Sequence, residues 1–209
     1  MIKPKNLWGI LLLIEILFMV FMVGLFPEAW HNVLYKILYT FLYFTTVLCL
    51  ERSRKTMLWV ALLLFLLTVI SGVRDIPVVE GLSKILDFIF FTVIVLFLIG
   101  QIARAKTVTK LEILEAVNGY LLLGVVFTFL IALIIQVDPL AYNFSSETVK
   151  SSDYVYYGFI TFSTTGYGDL LPLKPYSKSL AILIAISGQL YLAIIIALLV
   201  GKFSASQTR

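Results

Sequence analysis

The chain has 209 residues, 61% of them hydrophobic and only 13% charged, with a formal net charge of +4. A soluble domain carries about a quarter charged residues, so the composition sets a soluble fold aside in favour of a membrane protein. The basic residues flank apolar stretches instead of lining one face, which argues against any nucleic-acid partner.

Six apolar spans follow one another, each near the ~20 residues that a bilayer requires: Leu7–Phe26, Val33–Leu50, Met57–Val73, Ile85–Ala103, Leu111–Val137 and Ser179–Phe203. Lys3 and Lys5 precede the first like the basic region of a signal peptide. Its apolar part is too long for one, and no small-x-small cleavage pattern follows, so it reads as a retained spanning helix. Glu15 is the one acid deep in a span, with no deep basic residue to pair it. A pH-sensing role for it stays open. Cys49, the single cysteine, lies in the second span and reads as a small buried hydrophobe.

The fourth span, KILDFIFFTVIVLFLIGQIARAK, has Lys84 and Asp87 at one end, Arg104 and Lys106 at the other, and no charge between. A voltage sensor needs basic residues repeated through the membrane, because each charge moved supplies only ~2.3 kcal/mol per 100 mV. Strong voltage sensing is therefore not expected. The fifth span starts after a T-x-x-E pattern, Thr109 to Glu112, the signature of a capping box.

Loop charge sets the expected orientation. Lys3, Lys5, Arg52, Arg54, Lys55, Arg104, Lys106, Lys110, Lys202 and Arg209 all fall on one side, ten of the 16 basic residues. Eight of the 12 acids fall on the other: Glu28, Asp75, Glu80, Asp87, Asp138, Glu147, Asp153 and Asp169. Both termini are expected in the cytoplasm of a cell carrying this chain in its plasma or inner membrane. Trp8, Trp30 and Trp59 sit at span ends, as interfacial anchors do. His31 reads as a loop residue, and no metal or nucleophile cluster points to an enzyme.

The connection from Asp138 to Lys178 lies on the outer side. A polar stretch, YNFSSETVKSSD, is followed by an aromatic one, YVYYGFITFS, and then by TTGYGDLLP. The aromatic stretch is too short to span but suits a re-entrant half-helix, started by Ser151, Ser152 or Asp153. Such a segment is tolerated only if buried in protein or lining a water-filled cavity. By residues alone, TTGYGD is either a tight turn, since glycine with aspartate favours turns, or a strand whose backbone oxygens face one way.

Thr164-Thr165-Gly166-Tyr167-Gly168-Asp169, after a short aromatic helix and between two spans, resembles the selectivity filter of tetrameric potassium channels, usually written T-V-G-Y-G-D. The resemblance covers roughly Leu111–Phe203, with Thr165 in place of the usual valine. It implies K⁺ sites at the carbonyls of Thr164, Thr165, Gly166 and Tyr167, with the Thr164 hydroxyl closing the inner one. Gly168 completes the strand, and glycine reaches the left-handed region at little cost. It implies that the Tyr167 ring packs on the pore helix and that Asp169 is braced by an aromatic residue there, for which Tyr157 is the expected position. Ile160 stands where the family often has glutamate. Gly188 falls at the family's hinge position, with close helix packing as the other reading. Gln189 is expected near the cavity, and Leu192, Ile196 and Val200 along the inner pore, where apolar rings gate by dewetting.

The expected fold is therefore an all-α polytopic membrane protein: six transmembrane helices, a re-entrant pore helix and a filter loop, assembled as a homotetramer. Residues 1–106 would form a four-helix domain resembling a voltage sensor without its gating charges, and residues 107–209 the pore. The expected function is passive, K⁺-selective conduction, with K⁺ as permeant ligand, lipid as surroundings, and no cofactor. A weakly selective cation channel, or the membrane subunit of a K⁺ transporter, are the alternatives. With six residues after Phe203, no cytoplasmic regulatory domain is expected.

Overall fold

A computed structural model describes residues 4–50, 54–74, 77–105, 107–144 and 150–207. Of the residues used above to orient the chain, Lys3, Arg52, Asp75, Lys106, Glu147 and Arg209 lie outside them. The described residues form seven α-helices: α1 (Pro4–Leu17), α2 (Glu28–Leu48), α3 (Arg54–Arg74), α4 (Pro77–Arg104), α5 (Lys110–Val137), α6 (Ser151–Phe162) and α7 (Pro175–Gln207). Among the described residues, four helical stretches are long and apolar enough to cross a membrane: Asn6–Leu25, Gly81–Arg104, Lys110–Val137 and Pro175–Ser204. The second and third predicted spans fall on α2 and α3, which are helical but not among these four.

Local chemistry explains where these helices begin. Before α5, the Thr109 hydroxyl accepts from the Leu111 amide at 3.2 Å, and the Glu112 carboxylate accepts from the Thr109 amide at 2.7 Å. This is the predicted capping box, satisfying amides that would otherwise lack partners. α1 passes into a π turn at Phe18–Met22 and a 3-10 turn at Val23–Leu25, and Pro27 then precedes α2. His31, expected in a loop, instead lies in the first turn of α2, with its ring Nε2 2.8 Å from the Phe26 carbonyl. α6 starts at Ser151 with Lys150 as its cap residue, and Asp153 closes the turn by accepting from the Lys150 amide at 3.0 Å.

Leu12 and Ile16 of α1, Leu42 and Val47 of α2, Leu64 of α3, Phe91 and Leu98 of α4, and Leu122 and Val125 of α5 share one buried cluster. Lipid tails are as apolar as leucine, so packing and interhelical hydrogen bonds, each worth about 0.6–2 kcal/mol, decide which faces meet. Thr45 of α2 donates to Glu15 of α1 at 2.6 Å, which supplies the partner the sequence did not reveal. Tyr43 of α2 donates to Asp87 of α4 and lies 3.3 Å from the Thr68 hydroxyl of α3. Asn118 of α5 donates to the Gly9 carbonyl of α1 at 2.8 Å. α5 thus carries α1 and α4 on one side and α6 and α7 on the other.

Candidate functional site

Residues 163–169 are exposed without a break, in a chain whose flanking Phe162 is buried. Three φ angles in this loop are positive: 60° at Thr164, 50° at Gly166 and 82° at Gly168. Thr165 and Tyr167 between them keep negative φ. Alternation of right- and left-handed residues turns successive peptide units the same way, collecting N–H groups on one side and carbonyls on the other. The two glycines accept the left-handed region freely. Thr164 does not: a β-branched residue there stores on the order of 1–3 kcal/mol. The sequence carried no sign of that strain, because threonine is a poor candidate for positive φ.

The end of α6 pins the first half of the loop. The amides of Thr165 and Gly166 both donate to the Ile160 carbonyl, at 2.9 and 3.0 Å, and the Thr164 amide donates to Thr161 at 3.0 Å. The amides are thus used up by the helix end. Among the described residues, no donor reaches the carbonyls of Thr164, Thr165, Gly166 or Tyr167. Thr165, the departure from the usual valine, has its hydroxyl 2.9 Å from that of Ser163, so this added polar group is satisfied within the loop.

Asp169 is braced, but not by the residue expected. The Tyr156 hydroxyl donates to Asp169 Oδ2 at 2.7 Å, and this bond holds the carboxyl below its usual range. Tyr157 is buried instead, edge-on to Tyr142 at 5.1 Å and to Phe144 at 6.2 Å. Successive helical residues point about 100° apart, so one position along α6 separates a ring aimed at the loop from one aimed into the packing. The Tyr167 ring also departs from expectation: it is 73% exposed, not packed on its own α6.

A buttress stands behind the loop. The Asn143 amide donates to Leu171 at 3.1 Å and the Leu173 amide to Ala141 at 2.8 Å. Ser177, fully buried at the start of α7, donates to Ala141 at 2.8 Å. Tyr176 donates to Asp138, which holds that carboxyl below its usual range as well. None of these four contacts had a signal in the sequence, because each joins segments about 30 or more residues apart.

α7 meets the Thr164 end of the loop. Gly188 is buried where a Cβ would collide with the Phe162 carbonyl oxygen. The glycine is therefore required by the close crossing of α7 over the end of α6. Gln189 Nε2 donates to Thr164 Oγ1 at 3.0 Å. Leu192, Ile196 and Val200, at helical spacing on one stripe, are 38%, 57% and 58% exposed. The structure thus brings Thr164, Gln189 and Gly188 together at the start of the loop and Asp169 and Tyr156 at its end.

No curated protein and no solved structure matches the chain. Residues 121–205, from within α5 through α6, the 163–169 loop and most of α7, match the family model described as "Ion channel". The segment that carries the loop is the segment that matches the ion-channel family model, and it includes much of two helices long and apolar enough to cross a membrane.

Proposed function

We propose that the chain is a K⁺-selective channel that conducts passively as a homotetramer, with Thr164, Thr165, Gly166 and Tyr167 supplying carbonyl oxygens around a central axis. The observation that carries this reading is the alternating hand at Thr164, Gly166 and Gly168 together with carbonyls that no donor reaches among the described residues. Bare carbonyls in a membrane cost several kcal/mol each unless something replaces water. A dehydrated cation does so, and a ring of such oxygens suits K⁺. One strand offers one oxygen per level, so four chains are needed to surround an ion. The seven exposed residues in sequence, and a Tyr167 ring open to a neighbour, support the same assembly.

In this reading all six long helices cross the membrane, both termini are cytoplasmic, and residues 1–106 flank a pore formed by residues 107–209. α6 points its C-terminal end, with its partial negative charge, toward the cavity below the loop, which favours a cation there. Purified protein in liposomes with a K⁺ gradient and a fluorescent flux readout tests the proposal. K⁺ flux many-fold above Na⁺ flux, from a particle of tetramer size, is expected. Equal Na⁺ and K⁺ flux would favour the weakly selective cation channel, and no flux from a monomer or dimer would sink the channel reading.

A further inference from the structure

Below the loop, the fold spends a glycine to deliver an amide. Because Gly188 has no Cβ, α7 passes against the Phe162 carbonyl, and the next side chain, Gln189, arrives at the innermost residue of the loop. Its NH₂ group can only donate, so in the 3.0 Å contact Thr164 Oγ1 must accept. A hydroxyl has one proton and two lone pairs. With one lone pair bound by Gln189, the Thr164 proton is turned elsewhere, and one lone pair remains to face the axis. The left-handed backbone at Thr164 fixes where its Cβ starts, so the amide is what selects among the staggered side-chain positions.

On this basis, and resting on the channel reading above, we infer that Gln189 is a specificity-determining positioning residue for the innermost cation site. It holds the Thr164 hydroxyl with its lone pair, and not its proton, toward the ion. A hydroxyl free to rotate would present its positive hydrogen, or withdraw, in a share of its conformations. The site would then lose one ligand per subunit, and a smaller, more strongly hydrated cation would compete better. In the tetramer four such amides surround the axis beneath the loop.

The full-length protein in liposomes tests this with Gln189→Leu, which loses the donor, and Gln189→Asn, which keeps the amide and loses the reach. Two quantities are read: the K⁺ concentration for half-maximal flux and the K⁺-to-Na⁺ flux ratio. The K⁺ concentration that half-protects the protein against heat gives a binding readout independent of conduction. Both variants are expected to raise the half-maximal concentrations about three- to ten-fold, the factor one neutral hydrogen bond is worth, and to lower the flux ratio similarly. In a Thr164→Ala background, Gln189→Leu should add nothing further to the heat-protection midpoint. Asn behaving as wild type while Leu does not would assign the effect to polarity in the cavity and overturn the inference. So would a Leu effect of the same size with and without Thr164. A wild-type protein that conducts Na⁺ and K⁺ equally would instead overturn the K⁺-selective reading on which this inference rests, which separates the two failures.

Discussion

Asp169 and its tyrosine carry the clearest consequence at the scale of single residues. The Tyr156 hydroxyl reaches Asp169 and the Tyr157 hydroxyl does not, so the two adjacent tyrosines should separate cleanly. Tyr156→Phe removes the brace and is expected to shorten the time for which the loop conducts. That effect appears as K⁺ flux decaying faster after the gradient is applied. Tyr157→Phe should leave that decay unchanged, and the reverse ranking would mean the brace is wrongly assigned. The pH dependence follows from the same bond. Tyr156 favours the charged carboxylate and depresses its titration below the usual value near 4. A depressed group contributes above its unfolded value and is lost only as pH falls through the folded one. Flux should therefore show no Asp169-dependent change between about pH 7 and pH 5. A transition near pH 6 that vanishes in Asp169→Asn would contradict this.

Gly188 and Lys202 pose the questions that belong to whole helices. The spacing from Asp169 allowed Gly188 to be a hinge or a packing residue. The colliding position of its absent Cβ against Phe162 shows that packing alone requires it. Gly188→Ala should push α7 off α6 and cost about 1–3 kcal/mol, the range for overpacking a tight contact. Because the contact lies beside the loop, lower thermal stability and lost flux should appear together. A variant of normal stability with altered opening would restore the hinge reading. Lys202, near the end of α7, donates to the carbonyls of Ile102, Ala103 and Ala105, with the latter two at 2.8 and 2.7 Å. These are the carbonyls left over at the end of α4, and a cation there is worth about 0.3–2 kcal/mol. One side chain thereby ties the end of α4 to α7. Lys202→Met should lower the melting temperature in detergent modestly and change the fraction of time the channel is open. Unchanged opening would mean that this tie does not couple the two.

Considered as a whole molecule, the chain shows which features hydropathy can and cannot read. The predicted spans fall on helices, four of them long and apolar enough to cross a membrane among the described residues, and the Thr109–Glu112 box was legible because its residues are neighbours in sequence. The helices overrun those spans: α4 begins at Pro77 where its apolar stretch began at Ile85, and α7 begins at Pro175 where its stretch began at Ser179. Hydropathy marks the hydrocarbon layer, while a helix continues into the polar interface as long as its own hydrogen bonds close. The choice of Tyr156 over Tyr157, the partner of Glu15, and the reach of Gln189 were illegible for a shared reason. Each depends on the rotation of one helix against another, which a linear pattern does not encode. The same global arrangement bears on voltage. Between Asp87 and Arg104, α4 carries no charge, and the two charged residues nearest that stretch on its N-terminal side are engaged: Lys84 donates to Gln136 of α5 at 3.1 Å and Asp87 accepts from Tyr43. A charge crossing the whole field would contribute about 2.3 kcal/mol per 100 mV, but the stretch of α4 between Asp87 and Arg104 carries none. Steady K⁺ current in a planar bilayer should therefore show an open fraction that changes less than about ten-fold over 100 mV, below the roughly 50-fold that even one moving charge per channel would give. A steeper dependence would require charge movement elsewhere in the chain, and the four flanking helices would then have to be read as a voltage sensor after all.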